Sequence, residues 1–340
     1  MKTNHTDIKK LSPLDARRIH DWDIDKLYDR KCPFCNFDGK NSFIRPDRLI
    51  IKYCNNCHSF FVSPAPNECQ LNDCYSKYFE THSGGSNNFT SIEAKRILSL
   101  DPWEDLRIKE ISSLIDLKGA DVLDVGFGRG ETLVRLKKLG ANVYGVDLDQ
   151  DAVHFAREYL NIKTVFRYRI EEIDNSKKYD LIILNDFIEH PLDPMSSIKT
   201  ANNLLKEGGL LLIWTPNASF SLFENDPVLF RVDFEHMQYL SFNTCYYIAK
   251  EIGFDLIHIE CLGYPYLVGI RTILTKQKNT LRRSVNNLYT LITSMKIVKK
   301  LNLVKQIIKP SPDPRCGKYH LFCILQKKRN QQNVVSDVEE

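Results

Sequence analysis

Ten residues, Asp121-Val122-Leu123-Asp124-Val125-Gly126-Phe127-Gly128-Arg129-Gly130, restrict the possible folds more than any other stretch of this chain. Aspartates interleaved with branched apolar residues open it, the pattern of a buried strand. Three glycines follow at two-residue spacing, and Glu131 to Leu136 then reads as a helix that ends at Gly140. Glycines let the backbone of such a turn come close to a ligand, so strand, turn and helix start together predict a nucleotide-binding corner. A second acid, Asp147, closes the next apolar run, Asn142 to Val146, at the separation where a carboxylate accepts ribose hydroxyls.

The second constraint is sulfur. Cys32-Pro33-Phe34-Cys35 and Cys54-Asn55-Asn56-Cys57 form two C-x2-C knuckles separated by eighteen residues. Each knuckle puts two thiolates on one side of a tetrahedron, so Cys32, Cys35, Cys54 and Cys57 predict a closed structural zinc site. Ser42-Phe43 and Leu49 to Tyr53 read as the ribbon's strands, and His58 is a spare ligand. Ten cysteines in a chain whose start lacks the apolar core of a signal peptide favour thiols and metal over disulfides, and a cytoplasmic setting.

Around these two features the chain divides into a polar segment (1–30, with a short helix expected over Leu14 to His20), the ribbon (31–63), a connector (64–103), a large α/β domain (104–328) and a disordered tail (329–340). In the connector, Cys69 and Cys74 lack knuckle spacing and read as ordinary thiols, while Tyr75, Tyr78 and Phe79 are expected to pack on the ribbon or cover the ligand. In the large domain, Ile108, Ile111, Leu114 and Ile115 mark a helix before the first strand. Asp149 caps a helix carrying Ala152, Val153, Ala156 and Leu160, and Thr164 to Phe166 is a short third strand. Tyr179 to Leu184 is the fourth strand, followed by Asn185-Asp186-Phe187-Ile188-Glu189-His190. Asp193-Pro194 starts a helix expected to run through Leu205 to Gly208, and Leu210 to Trp214 forms the fifth strand before Thr215-Pro216-Asn217. A helix capped by Gly253, a strand from Phe254 to Ile259 and a last strand from Tyr319 to Leu325 complete the pattern.

The net charge is only +4, but from Cys261 to Pro312 there are ten Lys or Arg and no Asp or Glu. Within it, residues 272–309 read as a basic helical insertion, with two functions open: packing on the sheet edge, or meeting an anionic membrane surface. No stretch approaches the roughly 18 apolar residues of a membrane span.

The G-x-G-x-G turn with Asp124 two residues before it resembles the first motif of class I S-adenosylmethionine (SAM)-dependent methyltransferases, over residues 104–328. The resemblance implies a Rossmann-like, seven-stranded, mostly parallel sheet with an antiparallel last hairpin. It also implies SAM held at Asp124, Gly126, Phe127, Gly128 and Gly130, with Asp147, Leu148 and Asn185 beside it. The acid that commonly follows the third strand and receives the adenine amino group is missing, since Arg167-Tyr168-Arg169 stands there. Residues 185–217, with Glu189-His190 after strand four and Thr215-Pro216-Asn217 after strand five, resemble the small-molecule branch of that family. His190, at the sheet edge where the methyl group should sit, is the candidate general base, since an ordinary imidazole pKa of about 6.5 suits neutral pH. Glu235-His236 is the rival catalytic pair. The ribbon together with Glu235-His236 is similar to sugar C-methyltransferases. The C-terminal part is short, however, so O-methylation of a sugar or surface-glycan precursor is the expectation. An RNA methyltransferase, with the ribbon binding nucleic acid, and a non-catalytic SAM-fold scaffold remain as alternatives, and the oligomeric state is open.

Overall fold

A computed structural model describes residues 19–76, 89–219, 233–262 and 319–329. The expected helix over Leu14 to His20 lies almost wholly outside them, as do the basic insertion, Tyr78, Phe79 and nearly all of the tail. By compactness the chain forms one unit from Met1–Glu260 with Leu321–Glu340 and a second from Cys261–His320. Only Cys261, Leu262, Tyr319 and His320 of the second are described.

The ribbon contains three antiparallel strands: β1 (Lys40–Ile44), β2 (Ile50–Tyr53) and β3 (Phe60–Val62). The third strand was not predicted, because Phe60, Phe61 and Val62 are all buried and so show no period-two alternation. The connector holds two helices, α1 (Glu68–Ser76) and α2 (Ser91–Ser99), the second capped by Thr90. Asp105 caps α3 (Leu106–Leu114), which delivers the chain to β4 (Asp121–Val125).

From there strand and helix alternate: α4 (Glu131–Lys138), β5 (Asn142–Val146), α5 (Gln150–Glu158), β6 (Val165–Phe166), β7 (Tyr179–Asn185), α6 (Pro194–Leu204) and β8 (Leu205–Pro216). Next come β9 (Gln238–Tyr239), α7 (Phe242–Ile252), β10 (Phe254–Leu262) and β11 (His320–Lys327). The seven-stranded sheet runs β10-β11-β8-β7-β4-β5-β6, and the pairs β7–β8, β4–β7, β4–β5 and β5–β6 are parallel. This is the expected α/β Rossmann-like sheet, with β7 at its centre, β4 beside it and the strand order reversing between the two.

One boundary differs from expectation. The helix before β8 stops at Leu204, and Leu205 already pairs with Tyr179, whereas Leu181 pairs with Leu210. Residues 206–209 bulge between these pairs, with Gly208 at φ 77°. The adjacent Leu204-Leu205 looks like one helix face in sequence, but Leu205 is buried as a strand residue.

The ribbon does not stand apart from the sheet domain. Its small sheet takes β9 as a fourth strand, with Phe60 opposite Tyr239 and Phe61 opposite Gln238. One apolar core runs from the cysteines and Phe61 to Leu123, Leu184 and Ile213.

Candidate functional site

The carboxyl ends of β4 and β5 carry the predicted ligand corner. Gly126, Gly128 and Gly130 all adopt left-handed φ values (70°, 53° and 78°), a conformation that side chains resist. A Cβ on Gly126 would meet Phe187 at 3.2 Å, whereas one on Gly128 would meet nothing within 4 Å. Open space above Gly128 is what a ligand lying against the backbone requires. Asp147, at the end of β5, accepts from Gly128 N (2.8 Å) and Asp149 N (2.9 Å), which locks the turn to the strand. Burial raises its carboxyl above the ordinary range against those two bonds.

Asp124 is buried, and its Oδ1 has no hydrogen-bond partner among the described residues. Loss of solvent pushes its carboxyl up to about 7, although the nearby Arg107 opposes the shift. Arg107 was not singled out in the sequence. Its guanidinium pairs with Asp105 (2.6 Å), donates to Asn185 Oδ1 and lies 5.3 Å from the centre of the Trp214 ring. Only its place on the helix before the first strand hinted at this role. The Phe127 ring is buried, with Cδ1 2.7 Å from where a Gly145 Cβ would stand. It packs between β5 and α4, so only its backbone faces the ligand corner. Leu148 is 48% exposed beside Asp147, as an apolar ligand contact should be.

Beyond β7 the structure brings the two rival catalytic elements together. The His190 and His236 rings meet edge to face at 4.8 Å. A carboxylate oxygen of Glu189, which sequence reasoning noted only as part of a motif, lies within 4.8 Å of a ring nitrogen of each. Its side chain is fully buried; Oε2 accepts from Thr215 Oγ1 (2.9 Å), and Oε1 has no hydrogen-bond partner among the described residues. Thus the Glu189-His190 and Thr215-Pro216-Asn217 motifs touch each other. Burial, and then the charge of Asp186, raises the Glu189 carboxyl well above the usual range. His190 is pushed down to about 4, chiefly by burial and then by His236. The ordinary imidazole pKa assumed from sequence therefore does not apply here: the ring is neutral at pH 7, but it is a weak base. Glu235 is also buried, and its charge bears on both His190 and Cys74.

Residues of the ribbon sheet and Arg30 just before it hold this cluster in place. Arg30 donates to the carbonyls of Val62 (2.8 Å), Leu192 (2.9 Å) and Met237 (2.6 Å), joining β3, the loop after His190 and the loop after His236. Arg45, paired with Asp47 and fully buried, donates to Phe234 O (2.5 Å) and His236 O (2.6 Å). Gln238 Nε2 donates to Ile188 O (2.9 Å) and Pro191 O (2.6 Å), bracketing Glu189 and His190.

The four predicted cysteines converge. All are buried, with Cys32 and Cys57 Sγ 3.5 Å apart and Cys35 and Cys54 Sγ 3.3 Å apart. Tetrahedral zinc–thiolate geometry asks for sulfurs about 3.8 Å apart, so the cluster is compatible with a zinc site. Hydrogen bonding from Cys57, and from Ser59 in addition, draws the Cys32 thiol down to about 5 against the effect of burial. The spare candidate His58 is bonded through Nδ1 to the Tyr53 hydroxyl instead.

Residues 103–259 match the family profile described as "Methyltransferase domain". Among curated proteins, the ubiquinone biosynthesis O-methyltransferase of Coxiella burnetii is 33% identical over 123 residues, 35% of this chain and 53% of that protein. A protein of the same name from Xanthomonas oryzae pv. oryzae is 33% identical over 137 residues, 38% of this chain and 56% of that one. The chain spans about half the length of the curated relatives it matches. A solved SAM-dependent methyltransferase from Archaeoglobus fulgidus is 21% identical, with a TM-score of 0.44, over 74% of this chain and 100% of that one. Over the matched residues, then, the chain carries a methyltransferase domain.

Proposed function

We propose that the chain is a SAM-dependent methyltransferase that O-methylates a hydroxyl group of a small molecule, with structural zinc in its cysteine ribbon. The observation that carries this reading is the glycine turn framed by two carboxylates: Gly128 faces open space, Asp147 is pinned to its N–H, and Asp124 is buried with an unpaired oxygen. The residues fit SAM. The backbone at Gly126, Phe127, Gly128 and Gly130 admits the methionine part, and Asp124 offers its unpaired oxygen to the amino group. Asp147 would accept from the ribose hydroxyls, and Leu148 and Asn185, the latter held by Arg107, would line the cofactor beside it. SAM supplies a methyl group already activated on a sulfonium, so the chain has to position the acceptor in line and help it lose a proton. His190, His236 and Glu189 are the groups that meet the acceptor.

The names of the relatives favour O- over C-methylation. A sugar or surface-glycan precursor remains the acceptor class drawn from the sequence resemblance. Transfer of label from SAM to nucleotide sugars, lipid-linked glycans, ubiquinone-biosynthesis intermediates and RNA tests the reading. An O-methylated small molecule is expected, and label in RNA alone would overturn the acceptor class. Calorimetric titration tests the pocket: Gly128→Val should abolish SAM binding, and Asp147→Ala should weaken it by about 1.5–3 kcal/mol, the value of hydrogen bonds to a charged acceptor. Unchanged affinity in both variants would remove the cofactor assignment.

A further inference from the structure

The acceptor end of the sheet holds three donors of mixed chemistry. One oxygen of Glu189, one ring nitrogen of His190 and one of His236 all lie within 4.8 Å of one another, and the Glu189 Oε1 to His236 Nε2 distance is 4.0 Å. That distance is too long for a hydrogen bond and short enough for two ligands of a single ion. Two of these side chains carry buried polar atoms, Glu189 Oε1 and His190 Nδ1, with no partner among the described residues. A fully buried carboxyl oxygen with nothing to bond is costly to a fold, and a cation removes that cost. The wider setting agrees: charges from Asp186 and Asp233 reach Glu189, and those from Asp233 and Glu235 reach His190.

We infer that Glu189, His190 and His236 form a second metal site, an open two-histidine, one-carboxylate site for a first-row divalent cation that takes the acceptor hydroxyl in a free position. Imidazole and carboxylate donors suit Mn2+, Fe2+, Co2+ and Zn2+, and three protein ligands leave room for a substrate oxygen. The inference rests on the methyltransferase reading for its chemistry. An acceptor O–H at the cation is acidified and loses its proton to solvent. The oxygen lone pair then forms the C–O bond as the C–S bond breaks, and that bonding pair stays on sulfur, converting the sulfonium to a neutral thioether. The two histidines thereby become ligands and not the base. Their loops are held by Arg30 and Arg45, so the geometry of the site depends on the ribbon.

The test uses the full chain, stripped of labile metal by a mild chelator, and titrates Mn2+ followed by electron paramagnetic resonance. One Mn2+ per chain is expected, and Glu189→Gln and His236→Asn should each weaken binding at least tenfold with unchanged SAM affinity and a single cooperative unfolding transition retained. Turnover lost on chelation should return with the added ion. No binding of Mn2+, Co2+ or Zn2+ beyond the cysteine site, or equal binding in parent and both variants, would overturn the inference. SAM titration of the same samples separates the two failures: a chain that binds SAM but no second ion sinks the cation site alone, whereas one that binds the ion but no SAM sinks the methyltransferase reading.

Discussion

Among the described residues two clusters of side chains have metal-ligand chemistry, four cysteines and a Glu-His-His group, and they are built on opposite principles. In the ribbon, four sulfurs face one another and use up every tetrahedral position, with Ser59 Oγ 3.2 Å from both Cys32 and Cys57 Sγ. At the end of β7, two ring nitrogens and one carboxylate oxygen converge with buried atoms left unpaired. A filled coordination shell holds a fold together and has no place for a substrate. A partly filled one costs stability and leaves a reactive position. Arg45 of the ribbon and Arg30 just before it join the two, because their guanidinium groups hold the carbonyls of Leu192, Phe234, His236 and Met237 beside the histidines.

Cys54→Ser is the severest way to break this contrast. It opens the closed shell, and structural zinc contributes about 10 kcal/mol or more to small domains. Because β9 is both a ribbon strand and the continuation of the His236 loop, metal content, the unfolding transition and turnover should fall together. An active variant with an unchanged transition would make the ribbon a mere appendage.

Arg45→Met probes the link itself. It leaves the buried Asp47 without its counter-ion, holding only the Trp22 and Leu49 N–H bonds, a loss of about 3–5 kcal/mol measurable by urea unfolding. Adding Asp47→Leu should recover stability, since a buried ion pair is replaceable by apolar packing. Turnover should stay low, because the carbonyls of Phe234 and His236 remain unheld. Recovery of both would show that Arg45 does nothing for the site.

His190→Ala sharpens the contrast from the open side. Turnover is expected to drop about a hundredfold, the scale of losing a group that promotes the acceptor's proton loss, here as a cation ligand, with SAM affinity retained. If turnover survives this change and falls only in His236→Ala, the loop carries the chemistry and His190 is packing.

Asp124→Asn is the mildest test and asks whether an unpaired buried carboxyl outside both clusters behaves alike. Its folded pKa of about 7 exceeds the unfolded value of about 3.9, so between these values the folded chain keeps a proton that the unfolded chain releases. Stability from this group is therefore present below about pH 4 and is lost as pH rises to about 7, with a slope of up to about 1.4 kcal/mol per pH unit. In cofactor-free protein the asparagine variant should flatten that slope and gain on the parent at pH 8. An unaltered profile would mean that Asp124 is ionised and solvated.

Much of the fold could be read from local pattern. The glycine turn, the acids at 124 and 147, the alternation of strands and helices, and the cysteine knuckles are all short-range signals, set by φ preference, periodicity and ligand spacing. The boundary at Leu205 was misread because two adjacent leucines satisfy a helix face and a strand equally well. β3 went unseen because full burial removes alternation. Phe127 lies within the glycine motif yet turns into the core, a choice made by the space that Gly145 leaves on the neighbouring strand.

The cluster at the acceptor end was beyond the reach of local pattern. Glu189 and His190 are adjacent in sequence, but His236 lies 46 positions beyond His190, and Arg45 and Arg30, which hold these loops, come 145 and 160 residues before His190. His190 and His236 stood in the chain as rivals for one role. Pairing β9 with β3 brought them edge to face beside a carboxylate, where burial removes the ordinary basicity expected of His190. Residue type and spacing are properties of the chain. The dielectric around a side chain, and which distant groups share its solvent-free space, exist only once the two sheets have closed on each other.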